Sequence, residues 1–324
     1  MASSLAVGVA ASSSSAPAPS FEDHCESFPL LFYRAVRDLK PVWMLEDMRT
    51  METFYREEDA SHRTYAPSEA LLYAIVHDHQ AYARYLLTRY ADEALARPGE
   101  RFCRCPSPAA PHLAMAVRYD RRCILGLILQ ETHRVAGAPS SSSSSPSSYS
   151  TSSSCSRADR AGCFHMEDGR TPLHLACELL RPEAVVMLLG SGASPHAQDR
   201  DGLTPLDVLL EKLGVRGKGE GARGRRQCLD NLLMFMPVKA HFKMKAALSG
   251  EPGRWSELLG EETYAYLAQR RPAPLALAAM QTVLRQLSPA TFPDSVHELP
   301  IPSALKPAGL LPVSQQRDGQ MVAL

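Results

Sequence analysis

Short apolar runs at helical spacing come in pairs along this chain, and the pairs predict helix hairpins. The plainest pair opens at residues 168–176, Asp-Gly-Arg-Thr-Pro-Leu-His-Leu-Ala, and the phrase returns at 201–209 as Asp-Gly-Leu-Thr-Pro-Leu-Asp-Val-Leu, so that Thr171 and Thr204 stand 33 apart. Each part has a physical reason. The Thr171 hydroxyl is suited to cap the first helix, and Pro172, which has no N–H to lose in a first turn, fixes the entry angle. Leu173, Leu175 and Ala176 supply the buried face. After a turn at Arg181-Pro182-Glu183, the apolar run 184–189 predicts the second helix, and Gly190, Gly192 and Ala193 let the chain leave it. Residues 194–202 then read as a projecting hairpin. Two fainter copies lie upstream, 112–129 with Leu113 and Ala116 in the places of Leu173 and Ala176, and 70–87 with Leu71 and Ala74 there.

Two insertions interrupt the pattern. Residues 140–156 are almost all serine and cannot bury enough apolar surface to offset ordering, so a flexible loop is expected. The Gly- and Arg-rich stretch 214–226 splits the fourth pair ahead of an outer helix expected over 227–236. Ahead of the pairs, the aromatic and aliphatic segment 28–48, broken by Pro41, predicts two helices that cap the open end of a stack. The expected organisation is a disordered tail (1–27), a helical cap (28–66), repeats (67–237, with flexible insertions 137–160 and 214–226), connecting helices (238–270), a C-terminal module (271–312) and a second disordered tail (313–324).

Together, a period of 33 and a Thr-Pro-Leu-His start resemble the ankyrin repeat, whose copies stack side by side so that neighbours bury one continuous core. The fold expected is therefore all-α, a solenoid of about four repeats. By the same resemblance His174 is a structural residue, hydrogen-bonding neighbouring hairpins.

Composition removes whole classes of function. Lys plus Arg and Asp plus Glu number 35 each, which gives no general attraction to nucleic acid or an anionic membrane. No stretch reaches the roughly 18 uncharged apolar residues that a membrane helix needs, so no membrane insertion is expected. Residues 1–20 lack the basic start of a signal peptide, and the eight cysteines follow no disulfide framework, which fits a reducing cytosol. His77 and His79 flank Asp78 at a helix turn and read as turn residues. Cys103-Arg104-Cys105 has no second pair at zinc spacing, so no metal and no cofactor is expected. Phosphate-cradling and nucleophile-elbow phrases are absent from the sequence, which leaves no basis for an enzyme. Arg118, Asp120, Arg121 and Arg122 gather at the turn of the second repeat, as a solvated turn or a partner face.

The C-terminal segment carries the sharpest signal. Leu275, Ala279 and Val283 are four apart and share one helical face, with Pro274 just ahead of them: a knob beside a flat patch, suited to a preformed groove. Farther on come Val296 and Leu299-Pro300-Ile301-Pro302, then Leu305. Downstream of ankyrin repeats, this combination resembles the SOCS box, a module that joins substrate receptors to elongin B/C and a cullin. The resemblance implies elongin binding by Leu275, Ala279 and Val283, and selection of cullin-5 or cullin-2 by Val296, Leu299, Pro300, Ile301, Pro302 and Leu305. Residues 28–310 as a whole resemble a vertebrate family of ankyrin-repeat substrate receptors. That likeness implies a cytoplasmic protein, in the cytosol or on vesicles, that promotes ubiquitination and proteasomal degradation of a bound client, with inosine monophosphate dehydrogenase the client it suggests. The alternative is an ankyrin-repeat interaction scaffold with no ubiquitin-ligase coupling.

Overall fold

The computed structural model describes residues 30–50, 64–99, 111–137, 169–215, 222–236, 241–307 and 310. Cys103, Cys105 and the serine-rich insertion lie outside them. Among the described residues there is no strand; the architecture is an all-α ankyrin solenoid.

Four helix pairs form the stack: α3 (Pro67–Val76) with α4 (Gln80–Ala94), α5 (His112–Arg118) with α6 (Arg122–Gly137), α7 (Pro172–Glu178) with α8 (Pro182–Gly190), and α9 (Pro205–Val215) with α10 (Ala222–Phe235). The first helices stack on one another in order, and so do the second. Ahead of them α1 (Leu30–Arg37) lies on α3 and α2 (Val42–Thr50) lies on α4. The expected cap is thus a further pair in the same register. After them come α11 (Lys245–Gly250), α12 (Pro252–Leu259), α13 (Glu261–Leu267), α14 (Leu275–Gln286) and α15 (Asp294–His297).

The register is visible at a single hydrogen bond. The N–H groups of Lys40, His79, Arg121 and Arg181 donate to the carbonyls of Ala35, Ala74, Ala116 and Ala176, at 3.0, 2.9, 2.9 and 3.0 Å. Just before each donor stands a residue in the left-handed region: Leu39, Asp78, Asp120 and Leu180, at φ 51°, 55°, 55° and 56°. A small residue at the acceptor lets the turn close over it. The same device recurs after α13, where Arg270 N–H donates to Ala265 O at 2.8 Å behind Gln269 at φ 57°.

Capping follows the expected chemistry. In the third repeat the Thr171 hydroxyl accepts the His174 N–H at 3.5 Å, while His174 Nδ1 accepts the Thr171 N–H at 3.1 Å. That leaves the proton on Nε2, which donates to Leu203 O of the next repeat at 2.9 Å. Asp207 holds the equivalent place in the fourth repeat and inverts the polarity. Its Oδ2 accepts the Thr204 N–H at 2.9 Å, and its Oδ1 accepts the Met244 N–H at 2.8 Å. A neutral imidazole thus offers a donor to the following carbonyl, and a carboxylate offers an acceptor to the following amide.

One apolar core, from Phe32 to Leu267, runs through all the pairs, with Leu71, Ile124, Leu173, Val185, Leu206 and Leu232 each fully buried. α10 departs from expectation by starting at Ala222, five residues ahead of Gln227. The added turn is rich in arginine, a good helix former, and Arg226 pairs with Asp230 one turn on, Nε to Oδ1 3.1 Å.

Candidate partner-docking site

The C-terminal helix α14 extends the outer row by lying on α10. Pro274 precedes it in an extended conformation, φ −51° and ψ 142°, which suits a proline at a helix entry. Its inward face is Met280, Gln281 and Leu284, all buried. Gln281 fixes the helix lengthwise: its Nε2 donates to Leu233 O at 2.9 Å in a buried bond between α14 and α10.

Its outward face is the one on which the sequence places Leu275, Ala279 and Val283. Leu275 is 85% exposed, the largest value among the described large hydrophobic side chains. Ala279 is exposed and Val283 half-buried, while Ala276 and Thr282 flank them in the open. Leu275 with the alanines beside it gives this face an apolar surface that a partner groove can cover.

Farther on, the six residues expected to meet a cullin divide in two. Val296 is fully buried in a second core with Val186, Met280, Leu284 and Phe292, and Leu299 and Ile301 are half-buried against it. Pro300 and Pro302 are exposed, as is Leu305 at 45%. The Ile301 N–H donates to Leu299 O at 2.8 Å across Pro300, and Lys306 Nζ donates to His297 O at 2.8 Å. The strip is therefore a tight turn whose aliphatic side chains anchor inward and whose prolines face out. Sequence reasoning missed Phe292 and Gly190 in this second core. An aromatic residue within a turn-rich stretch was the available signal for Phe292; Gly190 had none beyond its place at a helix end.

The remaining candidates are parts of the scaffold. Arg121 donates from Nε to Ile75 O (3.1 Å) and from Nη2 to Val76 O (2.6 Å), closing the end of α3. Asp120 pairs with Arg122 (3.3 Å) and Arg181 (3.2 Å), and Arg122 with Glu183 (3.3 Å), which latches the second repeat to the third; Arg118 is exposed. His79 accepts the Tyr82 N–H at Nδ1 (3.2 Å) and donates from Nε2 to Lys40 O (2.9 Å). His77 packs edge-on to Tyr33, centroids 4.7 Å apart; burial, aided by Arg37 and Arg121, pushes its imidazole down to about 4. Burial also pushes His112 down to about 4, and pushes the Cys228 thiol up to about 12. Groups this reluctant to ionise have no use as general acids, bases or thiolate nucleophiles near neutral pH. Among the described residues no three His, Cys, Asp or Glu side chains come together as a metal site, and no helix is long and apolar enough to cross a membrane.

The comparisons with known proteins agree with the ankyrin fold. The ankyrin repeat family model matches residues 168–200, which is the third helix pair and its hairpin. Local matches of 41 residues, 13% of this chain, reach plant proteins: 49% identity to the BTB/POZ domain and ankyrin repeat-containing protein NOOT1 of Medicago truncatula (8% of its length) and 49% to the regulatory protein NPR6 of Arabidopsis thaliana (9%). The mouse protein named ankyrin repeat domain-containing protein 9 is 39% identical over 312 residues, covering 89% of this chain and 91% of the relative. Likeness on that scale takes in the flanking helices as well as the repeats: this chain, an ankyrin-stack protein built for protein interaction, belongs to the ankyrin repeat domain-containing protein 9 family.

Proposed function

We propose that the chain is the substrate-recognition subunit of a cullin-RING ubiquitin ligase. In this reading the ankyrin stack grips a client, the outward face of α14 docks on elongin C, and the turn at Leu299-Pro300-Ile301-Pro302 helps to select cullin-5 or cullin-2. The observation that carries it is Leu275, which is 85% exposed on a helix whose opposite face is fully engaged. Burying that side chain in a partner groove contributes about 1.5–3 kcal/mol, a tenfold or greater change in occupancy. Ala279, one turn on, leaves room for the close approach of a second helix. Within the turn, Pro300, Pro302 and Leu305 are the groups free to touch a cullin, and Val296, Leu299 and Ile301 set their positions. Ligase catalysis is then positional: the receptor raises the local concentration of client lysines near a charged carrier enzyme brought by the cullin. Inosine monophosphate dehydrogenase is the client suggested by family resemblance, and the cytoplasm is the compartment.

The rival is an interaction scaffold with no ligase coupling. It is favoured by one observation, that α14 packs on α10 as a further layer would. Affinity purification of the full chain separates the two. Wild type recovers elongin B/C and a cullin, and Leu275→Ala with Ala279→Asp recovers neither while keeping its client. Equal recovery of elongin C by both proteins would refute the ligase reading, and loss of the client alone would favour the scaffold.

A further inference from the structure

The second core joins three parts of the chain that are far apart in sequence. From α14 come Met280 and Leu284, from the segment beyond it Phe292 and Val296, and from the outer helix of the third repeat Val186. Phe235 of α10 closes the group, its ring edge-on to that of Phe292 with centroids 6.2 Å apart and planes at 75°. After leaving α14, therefore, the chain does not continue outward. It folds back across the end of the fourth repeat onto the third, and residues Pro289–Thr291 touch α6 of the second.

The seat it reaches is Gly190, the last residue of α8. A Cβ built there meets Phe292 Cε1 at 2.2 Å and Cδ1 at 2.3 Å, closer than any side chain tolerates. Only a residue without a side chain lets the phenyl ring lie against the α8 backbone. Phe292 is itself 6% exposed, so the ring is held on both sides. Gln281 adds the polar fastening between α14 and α10 described above, at the other side of the same core.

We propose that Phe292, seated on Gly190, is the positioning residue that fixes the C-terminal docking face at one angle to the third and fourth repeats. Leu275 and Ala279 lie on the opposite side of α14 from this joint, so the joint bears on how the docked partner is aimed and leaves the docking surface itself intact. Because Leu299 and Ile301 rest on the same core, the turn that carries Pro300 and Pro302 is held by it too. The functional meaning rests on the ligase reading, in which a fixed arm keeps the transfer site at a set distance from whatever the repeats hold.

The test uses the full chain in three forms, Phe292→Ala, Gly190→Val, and the two together, read by amide hydrogen exchange and by retention of elongin B/C. Phe292→Ala is expected to speed exchange in α14, in the Leu299–Ile301 turn and in the last turn of α8 by about tenfold or more, with α3 to α5 unchanged. Elongin retention stays at the wild-type level. Gly190→Val speeds the same segments by expelling the ring, and the pair recovers protection because the valine then occupies part of the space that the ring vacates. The joint is refuted if Phe292→Ala leaves α8 and α14 exchanging at wild-type rates, or if the pair is no better protected than Gly190→Val. Failure of the wild type to retain elongin, with the exchange pattern as expected, refutes the ligase reading and leaves the joint standing.

Discussion

His112 is sealed between the first and second repeats at 1% exposure, its Nε2–H donated to Ser68 O at 2.8 Å and its Nδ1 without a partner. A second proton has nowhere to go, so the folded imidazole is held neutral down to about 4, against 6.5 for the free group. The sign follows directly. The unfolded chain takes up the proton first, so His112 contributes its full stability above pH 6.5 and loses it as the pH falls from 6.5 towards 4. The whole effect is about 3 kcal/mol. Urea midpoints should therefore drop between pH 7 and 5, and His112→Gln, whose amide reaches as far as Nε2, should flatten that slope; an unchanged slope contradicts the assignment. A second residue-scale prediction concerns the turns. Leu39 is 57% exposed at φ 51°, where its Cβ crowds the backbone. Leu39→Gly should raise stability by about 0.5 kcal/mol or more and Leu39→Ala should not, as thermal unfolding would show.

At the scale of elements, the helix pairs were legible where a motif fixed them and faint where packing alone did. The third pair announced itself through Thr171-Pro172-Leu173-His174, since each residue has a local job there. The first two repeats showed only the spacing of Leu71 with Ala74 and of Leu113 with Ala116, and the alanines prove to be the acceptors over which each turn closes. The pair α1 and α2 uses the same turn at Ala35 and Leu39, but neither residue type marks a left-handed turn, so the sequence offered a cap and the repeat register stayed hidden. α14 was legible because an i, i+4 stripe is a local property. Its joint with Gly190 was not, because that contact belongs to the fold. Burial separates the two kinds of leucine on these elements. Leu173→Ala, at a fully buried site, should cost about 2–5 kcal/mol, whereas Leu275→Ala should leave the melting temperature nearly unchanged. A large loss of stability in the second variant would mean that Leu275 is a packing residue. The two tryptophans offer a direct check on the ends of the stack. Trp43 on α2 is 64% exposed and Trp255 on α12 is 4% exposed. Acrylamide should quench Trp255→Phe strongly and Trp43→Phe weakly, and the reverse order would overturn the arrangement of α2 and α12.

For the whole molecule, the stack and its C-terminal extension are physically continuous. The main core carries the repeats, and the second core ties α14 and the Leu299–Ile301 turn to their outer side. An apolar face is thereby left out on a rigid support. Such a face is stabilised in use by whatever covers it, and the covering partner is the central claim. Calorimetric titration of the full chain with elongin B/C measures it most directly. The account predicts saturable one-to-one binding for the wild type, with affinity at least about tenfold weaker for Leu275→Ala at unchanged thermal stability. Equal affinity for both proteins, or no binding by the wild type, would contradict it.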